Sequence, residues 1–205
     1  MDEELRRAAR EAIGFMPEEE GLALYQTGLE AAPLGPMLEI GSYCGKSAIY
    51  LGAAAEKKMG VLFSVDHHRG SEEHQPGHEY HDPRLVNPAT GEVDTLPIFK
   101  ATIVKAGLEN SVVAVVGGSA EIAARWTRPL SLVFIDGGHS VEAARADLDG
   151  WVPHVLPGGF LAIHDVFPNP ADGGRPPYEI YRLALDSGDF EEARAVESLR
   201  VLRKN

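Results

Sequence analysis

The chain has 205 residues, 44% hydrophobic and 24% charged, which is ordinary for a globular protein of one domain. Its formal net charge of -12 argues against nucleic acid or an anionic membrane as a partner, since both need a basic face. The sequence shows no apolar signal region or bilayer-spanning stretch, and its one cysteine, Cys44, excludes an internal disulfide. We therefore expect a cytoplasmic protein.

Apolar runs and amphipathic segments alternate along the chain. N-terminal helices are predicted over residues 2–13 and 17–31. After them, strands are predicted at 37–40, 61–66, 112–116, 132–136, 159–165 and 195–203, and helices at 47–58, 95–106, 120–125, 141–151 and 178–186. This alternation predicts an α/β fold with a doubly wound, mostly parallel sheet. No domain boundary is visible, so residues 1–205 are predicted to form a single domain.

A polar insertion interrupts this pattern at residues 67–94. It is rich in proline and glycine and holds five of the eight histidines. Insertions of this length in compact domains are usually functional or disordered, and we expect a lid over the substrate. A second metal site is the alternative, although the histidines lack the spacing of a structural zinc motif. The candidate substrate contacts within the insertion are Tyr80, His81, Asp82 and Arg84.

Acidic and imidazole side chains follow two of the predicted strands. Phe134-Ile-Asp136-Gly-Gly-His139 ends one strand, and Ile163-His164-Asp165 ends the next. In an open α/β sheet the ligand crevice lies at the carboxyl ends of the strands, so these four polar side chains should meet there. Two carboxylates and two imidazoles can form a divalent-metal site with a base beside it. The alternative is that each one caps a helix or a turn.

A glycine-containing turn joins the first predicted strand to its helix, in the sequence from Glu39 to Ser47. Its glycines would let the backbone turn tightly and approach a ligand closely. It is neither a Gly-x-Gly-x-x-Gly fingerprint nor a P-loop, which disfavours an NAD-dependent enzyme. Asp66 ends the second strand, where it could accept hydrogen bonds from ribose hydroxyls. The candidate cofactor residues are Glu39, Gly41, Ser42, Gly45, Ser47, Asp66, Ser119, Ala120 and Asp136.

Together these motifs resemble the class I S-adenosylmethionine-dependent methyltransferases. The resemblance implies a seven-stranded sheet whose last strand pair is antiparallel, with S-adenosylmethionine lying across the tips of the first two strands. The two strand-end motifs resemble the metal-dependent sugar O-methyltransferases of macrolide biosynthesis. The size and the His-rich insertion resemble the sugar O-methyltransferase of methylmannose-polysaccharide synthesis. The resemblance further implies that Asp136 and Asp165 bind Mg²⁺ and that His139 is the base. No residue matches the third carboxylate ligand of the macrolide enzymes.

The expected reaction is therefore Mg²⁺-assisted methyl transfer to a hydroxyl of a sugar or oligosaccharide. His139 would accept the hydroxyl proton, since an imidazole pKa near 6.5 suits a general base. His164 is the second candidate. Adjacent strand residues point to opposite faces, so if Asp165 faces the metal, His164 should face a helix or support the site from behind.

Three alternatives remain open. One is a catechol-type or other small-molecule O-methyltransferase, another is a hydroxylase-like relative of the same fold, and the third is an inactive S-adenosylmethionine-binding subunit. The joint presence of Asp136, His139 and Asp165 argues against the third, because an inactive scaffold needs no metal-and-base set. Alanine-rich N-terminal helices suggest a homodimer.

Overall fold

The computed structural model describes residues 1–71, 75, 77–78, 81–138 and 140–205. Two predicted site residues, Tyr80 and His139, lie outside the described residues. The helices are α1 (Glu3–Glu11), α2 (Glu18–Ala31), α3 (Lys46–Lys58), α4 (Leu96–Lys105), α5 (Ser119–Ala123), α6 (Val141–Trp151) and α7 (Pro176–Asp186). The strands are β1 (Met37–Ile40), β2 (Leu62–Asp66), β3 (Val112–Val116), β4 (Leu130–Ile135), β5 (Val155–Ile163), β6 (Phe190–Val196) and β7 (Leu199–Lys204). Short 3₁₀ helices lie at Pro83–Leu85 and Val152–His154.

The strands form one seven-stranded sheet in the order β3-β2-β1-β4-β5-β7-β6. The first five in this order are parallel, and β7 runs antiparallel to both β5 and β6. This confirms the predicted doubly wound α/β fold. Chain order reverses direction between β1 and β4, and in such sheets the carboxyl ends of the strands at this point form the ligand crevice.

The C-terminal strand prediction was wrong, because residues 195–203 belong to two strands. The chain turns at Glu197, whose φ is +45°, and at Ser198, so that β6 and β7 form a hairpin. Two-residue hairpin turns usually carry glycine or asparagine, and this one has neither. The strand β5 begins at Val155 rather than at the predicted residue 159, so the segment Leu156-Pro-Gly-Gly159 lies within the strand.

Each central strand buries one set of side chains on each face of the sheet. In β4, Leu132 and Phe134 join the core beneath α2 and α3, whereas Val133 and Ile135 join the core on the opposite face with α6 and α7. Burial on both faces explains why these strands are continuous apolar runs. No described helix combines the length and apolar character needed to cross a membrane.

Both N-terminal helices pack against α3, and α2 also contacts β4, β5 and β6. An ion pair of 2.7 Å between Arg6 and Glu18 joins α1 to α2. Gly21 allows α2 to lie close to α3, because a Cβ there would come within 2.3 Å of the Tyr50 ring. As a result, the first turn of α2 lies beside the carboxyl ends of the central strands.

Part of the insertion is anchored to the rest of the protein. Leu85 and Val93 are buried in a small cluster with Cys44, and an isolated bridge pairs Val86 with Val93. Cys44 is fully buried, as expected of a small packing residue. Residues 81–94 of the insertion are therefore packed against the rest of the described protein.

Gly41 is required where β1 ends beside β4. Its φ is +86°, and a Cβ there would lie 2.1 Å from the backbone oxygen of Asp136. We expect Gly41→Ala to lower the free energy of unfolding by more than about 2 kcal/mol, because backbone strain and steric overlap add. Gly107→Ala is the control, since its φ is +68° but no atom lies within 4 Å. Denaturant unfolding should show the larger loss for Gly41→Ala, and equal losses would contradict the contact with Asp136.

Candidate active site

A cavity of about 770 Å³ opens at the carboxyl ends of the central strands. This volume lies in the usual range for small-molecule sites. Its wall includes a large part of the predicted site, namely Gly41, Asp66, Ser119, Ala120, Asp136, His164 and Asp165. Each comes from the end of a strand, from the loop that follows it or from the first turn of the next helix, as expected for this fold.

Asp66 holds the two loops that flank the end of β2. Its Oδ2 accepts a hydrogen bond of 2.7 Å from the backbone N–H of Tyr43, and its Oδ1 accepts one of 2.7 Å from the N–H of His68. Tyr43 has a φ of +46°, a conformation that this hydrogen bond stabilises. A carboxylate has about four acceptor positions, so Asp66 can accept further hydrogen bonds from a ligand in the cavity.

Ser119 and Ala120 lie on the cavity wall at the start of α5, beside a buried carboxyl group. The Ser119 hydroxyl donates to Asp147 and accepts a hydrogen bond of 2.8 Å from Nε1 of Trp151. Burial raises the pKa of Asp147 to about 6, and the hydrogen bond from Ser119 opposes the shift. Trp151 thus supports this end of the cavity from the core.

The rest of the predicted cofactor set lies behind the wall, which corrects the expectation of direct contact. Glu39, Ser42 and Ser47 are at most 5% exposed, and Gly45 lies against Phe99. The space that Gly41 leaves open is occupied by the backbone of Asp136 and Gly137, rather than being left for a ligand. Among the described residues, Glu39, Ser42, Gly45 and Ser47 therefore support the turn from the protein interior, whereas Gly41 lies on the wall.

Glu39 is a fully buried carboxyl group behind this turn. Its Oε2 accepts a hydrogen bond of 2.8 Å from the Ser47 hydroxyl. Burial raises the pKa of Glu39 to about 7, the hydroxyls of Ser64 and Ser47 oppose the shift, and the negative charges of Asp136 and Asp66 add to it.

Asp136 and His164 are neighbours because of the strand register. Phe134 pairs with Ala162 and Ile135 with Ile163, so the next residues of the two parallel strands are adjacent on the same face. His164 Nδ1 lies 3.0 Å from Oδ1 of Asp136 and 3.6 Å from Oδ2 of Asp165. Asp165 returns to the site because its φ is +56°, which breaks the alternation of the strand.

Glu20 is the residue of this site that sequence reasoning missed. It lies in the first turn of α2, is 1% exposed, and its Oε2 is 2.7 Å from Nε2 of His164. Its other oxygen, Oε1, accepts hydrogen bonds from the N–H and hydroxyl of Ser198 and from the N–H of Leu199. In sequence it follows Glu18 and Glu19, and such an acidic run also occurs at ordinary helix starts. No local signal distinguishes it from them.

The surroundings of His164 argue against its predicted role as a base. Burial by itself would lower the pKa of His164, but the carboxylates of Asp136, Glu20 and Asp165 outweigh it and raise the pKa to about 11. Both ring nitrogens are engaged with carboxylates. With both ring nitrogens protonated at neutral pH, the imidazolium has no lone pair with which to accept a proton from a substrate. Nε2 of the ring faces Glu20 of α2, whereas Nδ1 faces Asp136 and Asp165, so His164 and Asp165 reach the same site rather than the opposite faces that strand alternation predicted.

Three of the predicted substrate contacts, His81, Asp82 and Arg84, are described, and none of the three lines the cavity. Asp82 accepts hydrogen bonds from the backbone and guanidinium of Arg84, and it caps the short helix at Pro83–Leu85. Among the described residues of the insertion, His67, Gly70 and Ser71 line the cavity, but His81, Asp82 and Arg84 do not. The carboxylate of Asp82 is therefore engaged in holding its own loop.

A family model described as a methyltransferase domain matches residues 38–166. The match covers more than half of the chain and includes both strand-end motifs, so this protein belongs to that methyltransferase family. The family match and the fold together define the enzyme class of this protein as a methyltransferase.

Solved structures share the whole fold. The S-adenosylhomocysteine-bound methyltransferase PaMTH1 of Podospora anserina is 12% identical, with a TM-score of 0.70 over 100% of this chain and 89% of that one. TomG of Streptomyces achromogenes, an O-methyltransferase involved in tomaymycin synthesis and solved with S-adenosylmethionine, is 16% identical, with a TM-score of 0.65 over 100% and 91%. An O-methyltransferase of Bacillus cereus in complex with S-adenosylhomocysteine is 17% identical, with a TM-score of 0.65 over 100% and 92%. At these identities the likeness shows a common fold.

The raised pKa of Glu39 generates a prediction about stability. Because the folded protein binds this proton more tightly than the unfolded chain, stability should fall as the pH rises from about 4.5 to about 7. The contribution of this group is at most about 3 kcal/mol. Glu39→Gln should remove this part of the pH dependence. Urea unfolding of both proteins at several pH values would measure it, and a constant difference across the window would contradict the assignment.

Proposed function

We propose that this enzyme transfers the methyl group of S-adenosylmethionine to a hydroxyl oxygen of a sugar or glycoside. The cation would be divalent, with Mg²⁺ the first expectation, held by Asp136 and Asp165, and His139 would be the general base. One observation carries the proposal. Ligand atoms of Asp136, His164 and Asp165 lie within 4.8 Å of one another on the wall of the cavity that Gly41 and Asp66 also line.

The cavity supports the cofactor part of the proposal. It runs from Asp66 and Ser119 at one side of the switch point to Asp136 and Asp165 at the other. Asp66 would accept hydrogen bonds from the ribose hydroxyls, and Ser119 and Ala120 would line the adenine end. S-adenosylmethionine supplies an activated sulfonium methyl, so the protein needs to hold the acceptor oxygen, the methyl carbon and the sulfur in line.

The carboxylates of the site suit a hard cation. The side chains of Asp136 and Asp165 are 22% and 32% exposed, so each is partly open to the cavity. Carboxylate oxygens together with substrate and water oxygens match the shell that Mg²⁺ prefers. When bound, the cation would orient the acceptor hydroxyl and lower its pKa.

His139 would then take the hydroxyl proton. Of its described neighbours, Gly138 lines the cavity and Ser140 caps α6 by accepting a hydrogen bond of 3.1 Å from the N–H of Ala143. His164 is engaged with Asp136 and Glu20, which leaves His139 as the histidine of the two motifs suited to be a base.

Two candidate functions remain, and they differ in the class of acceptor that receives the methyl group. The strand-end motifs support a sugar through their resemblance to the sugar O-methyltransferases. The cavity wall also contains the aromatic rings of Phe15, Tyr43 and Phe167, and this favours a catechol-type acceptor as the second candidate. A screen of glycosides and catechols with labelled S-adenosylmethionine would decide between them. Transfer to catechols alone would overturn the sugar assignment.

The cofactor assignment predicts a loss of affinity in Asp66→Asn. Ribose hydroxyls would lose a charged acceptor worth about 1.5–3 kcal/mol, so affinity for S-adenosylmethionine should fall roughly 10- to 100-fold in isothermal titration. Asp94→Asn is the matched control, because Asp94 also accepts a backbone hydrogen bond, from the N–H of Leu96, but does not line the cavity. Equal affinities in Asp66→Asn and the wild type would contradict the assignment.

The metal and base assignments predict two classes of variant. EDTA should abolish methyl transfer and added Mg²⁺ should restore it. Asp136→Ala and Asp165→Ala should lose both metal binding and turnover, since one remaining carboxylate holds a hydrated cation poorly. His139→Ala should still bind metal and cofactor while turnover falls roughly 10²–10⁴-fold. Full activity after EDTA treatment would defeat the metal assignment, and near-normal turnover in His139→Ala would defeat the base.

A further inference from the structure

We propose that Glu20 is a positioning residue of the metal centre. By holding Nε2–H of His164, it directs Nδ1 toward Asp136 and Asp165, so that Nδ1 is the third metal ligand. The resulting site has one nitrogen and two carboxylate ligands and prefers a transition-metal dication, such as Mn²⁺, to Mg²⁺. This inference rests on the proposed metal of the site and refines the choice of cation.

The hydrogen bonds of Glu20 determine which nitrogen of His164 carries a proton. Oε1 accepts from the N–H of Ser198 at 2.6 Å, from its hydroxyl at 2.8 Å and from the N–H of Leu199 at 3.1 Å. Oε2 is then directed at Nε2 of His164, 2.7 Å away. An ionised carboxylate can only accept hydrogen bonds, so Nε2 must be the donor. The His164 side chain is 5% exposed and Glu20 is 1% exposed, so the packing holds the ring in this orientation.

The opposite nitrogen has the spacing of a metal ligand. Ligands at right angles on a cation with bonds of about 2.1 Å lie about 3.0 Å apart. Nδ1 is 3.0 Å from Oδ1 of Asp136 and 3.6 Å from Oδ2 of Asp165. The first separation is that of neighbouring ligands and the second is somewhat longer, and ligand atoms of the three residues all lie within 4.8 Å of one another. On binding, the cation would replace the proton that lies between Nδ1 and Asp136, and that proton would leave to solvent.

An imidazole ligand changes which cation the site prefers. Mg²⁺ takes oxygen ligands almost exclusively, whereas imidazole nitrogen favours transition metals. A carboxylate hydrogen-bonded to the distal nitrogen of a ligand histidine orients the ring and increases its basicity, and its loss typically costs 10–100-fold in metal affinity. Glu20 has this relation to His164. With His164 as a ligand, the proposed site also has a third ligand where no residue matched the third carboxylate ligand of the macrolide enzymes.

Four forms of the full chain test the proposal, namely the wild type, Glu20→Gln, His164→Asp and the control Glu19→Gln. Glu19 is exposed and neighbours Glu20 in the first turn of α2. In Glu20→Gln the amide oxygen can retain the donors of Ser198 and Leu199, which leaves the NH₂ facing Nε2. Nε2 would then become an acceptor, and the proton would move to Nδ1.

Isothermal titration with Mn²⁺ and Mg²⁺, without cofactor, should show tighter binding of Mn²⁺ to the wild type. Affinity for Mn²⁺ should fall 10–100-fold in Glu20→Gln and stay unchanged in Glu19→Gln. In His164→Asp, the ratio of Mn²⁺ to Mg²⁺ affinity should shift at least about tenfold toward Mg²⁺. Electron spin-echo spectroscopy of bound Mn²⁺ should show coupling to ¹⁴N in the wild type and none in His164→Asp.

Two failures would have different meanings. If Mn²⁺ binds the wild type without nitrogen coupling, His164 is not a ligand and this inference is overturned, while the carboxylate metal site of the proposed function stands. If neither cation binds the wild type, the metal part of the proposed function fails as well. The wild-type spectrum decides the ligand question even if Glu20→Gln does not fold.

Discussion

The buried carboxylate of Glu20 is the constraint on which the site depends. It joins α2 to the end of β5 through His164 and to the β6–β7 turn through Ser198 and Leu199. A buried charge costs several kcal/mol unless it is paired and hydrogen-bonded. Glu20 is satisfied only when α2, β5 and the C-terminal hairpin are all in place. The network therefore couples the N-terminal helices and the end of the chain to the same strand ends that form the cavity.

Strand geometry then delivers the remaining groups. The register of β4 and β5 places Asp136 beside His164, and the positive φ of Asp165 turns its carboxylate back toward them. On the other side of Asp136, the backbone packs against Gly41 at the end of β1. β1 and β4 flank the point where the strand order reverses, which is where open α/β sheets bind their ligands. One aspartate thus contacts both halves of the fold.

Carboxyl groups surround this cavity. Asp66, Asp136, Asp147 and Asp165 lie on its wall, and Glu39 lies behind it. Burial together with these negative neighbours raises the pKa of Glu39 to about 7, and burial raises that of Asp147 to about 6. A cleft lined with one sign of charge concentrates counter-ions. A cationic ligand and a dication both suit this arrangement, and they would lower the cost of holding so many acidic groups together.

Much of the scaffold could be predicted from the sequence. β1, β3 and α6 have the predicted bounds, because apolar runs and a serine cap are local signals. Asp66 and Asp136 were placed on the crevice by the general rule that strand ends meet at one edge of the sheet. The base His139, the substrate contact Tyr80, the sugar acceptor, the homodimer and the cytoplasmic location stay predictions.

Only the tertiary structure decided how the groups of the site are joined. Glu20 and Ser198 lie at opposite ends of the chain, and nothing in the local pattern of either residue announces their contact. The burial of Glu39 and the return of Asp165 depend likewise on neighbours and on one backbone angle. Periodicity encodes which residues form strands and which face each side chain takes. Pairing between distant side chains depends on how the elements pack, so it becomes visible only in the folded chain.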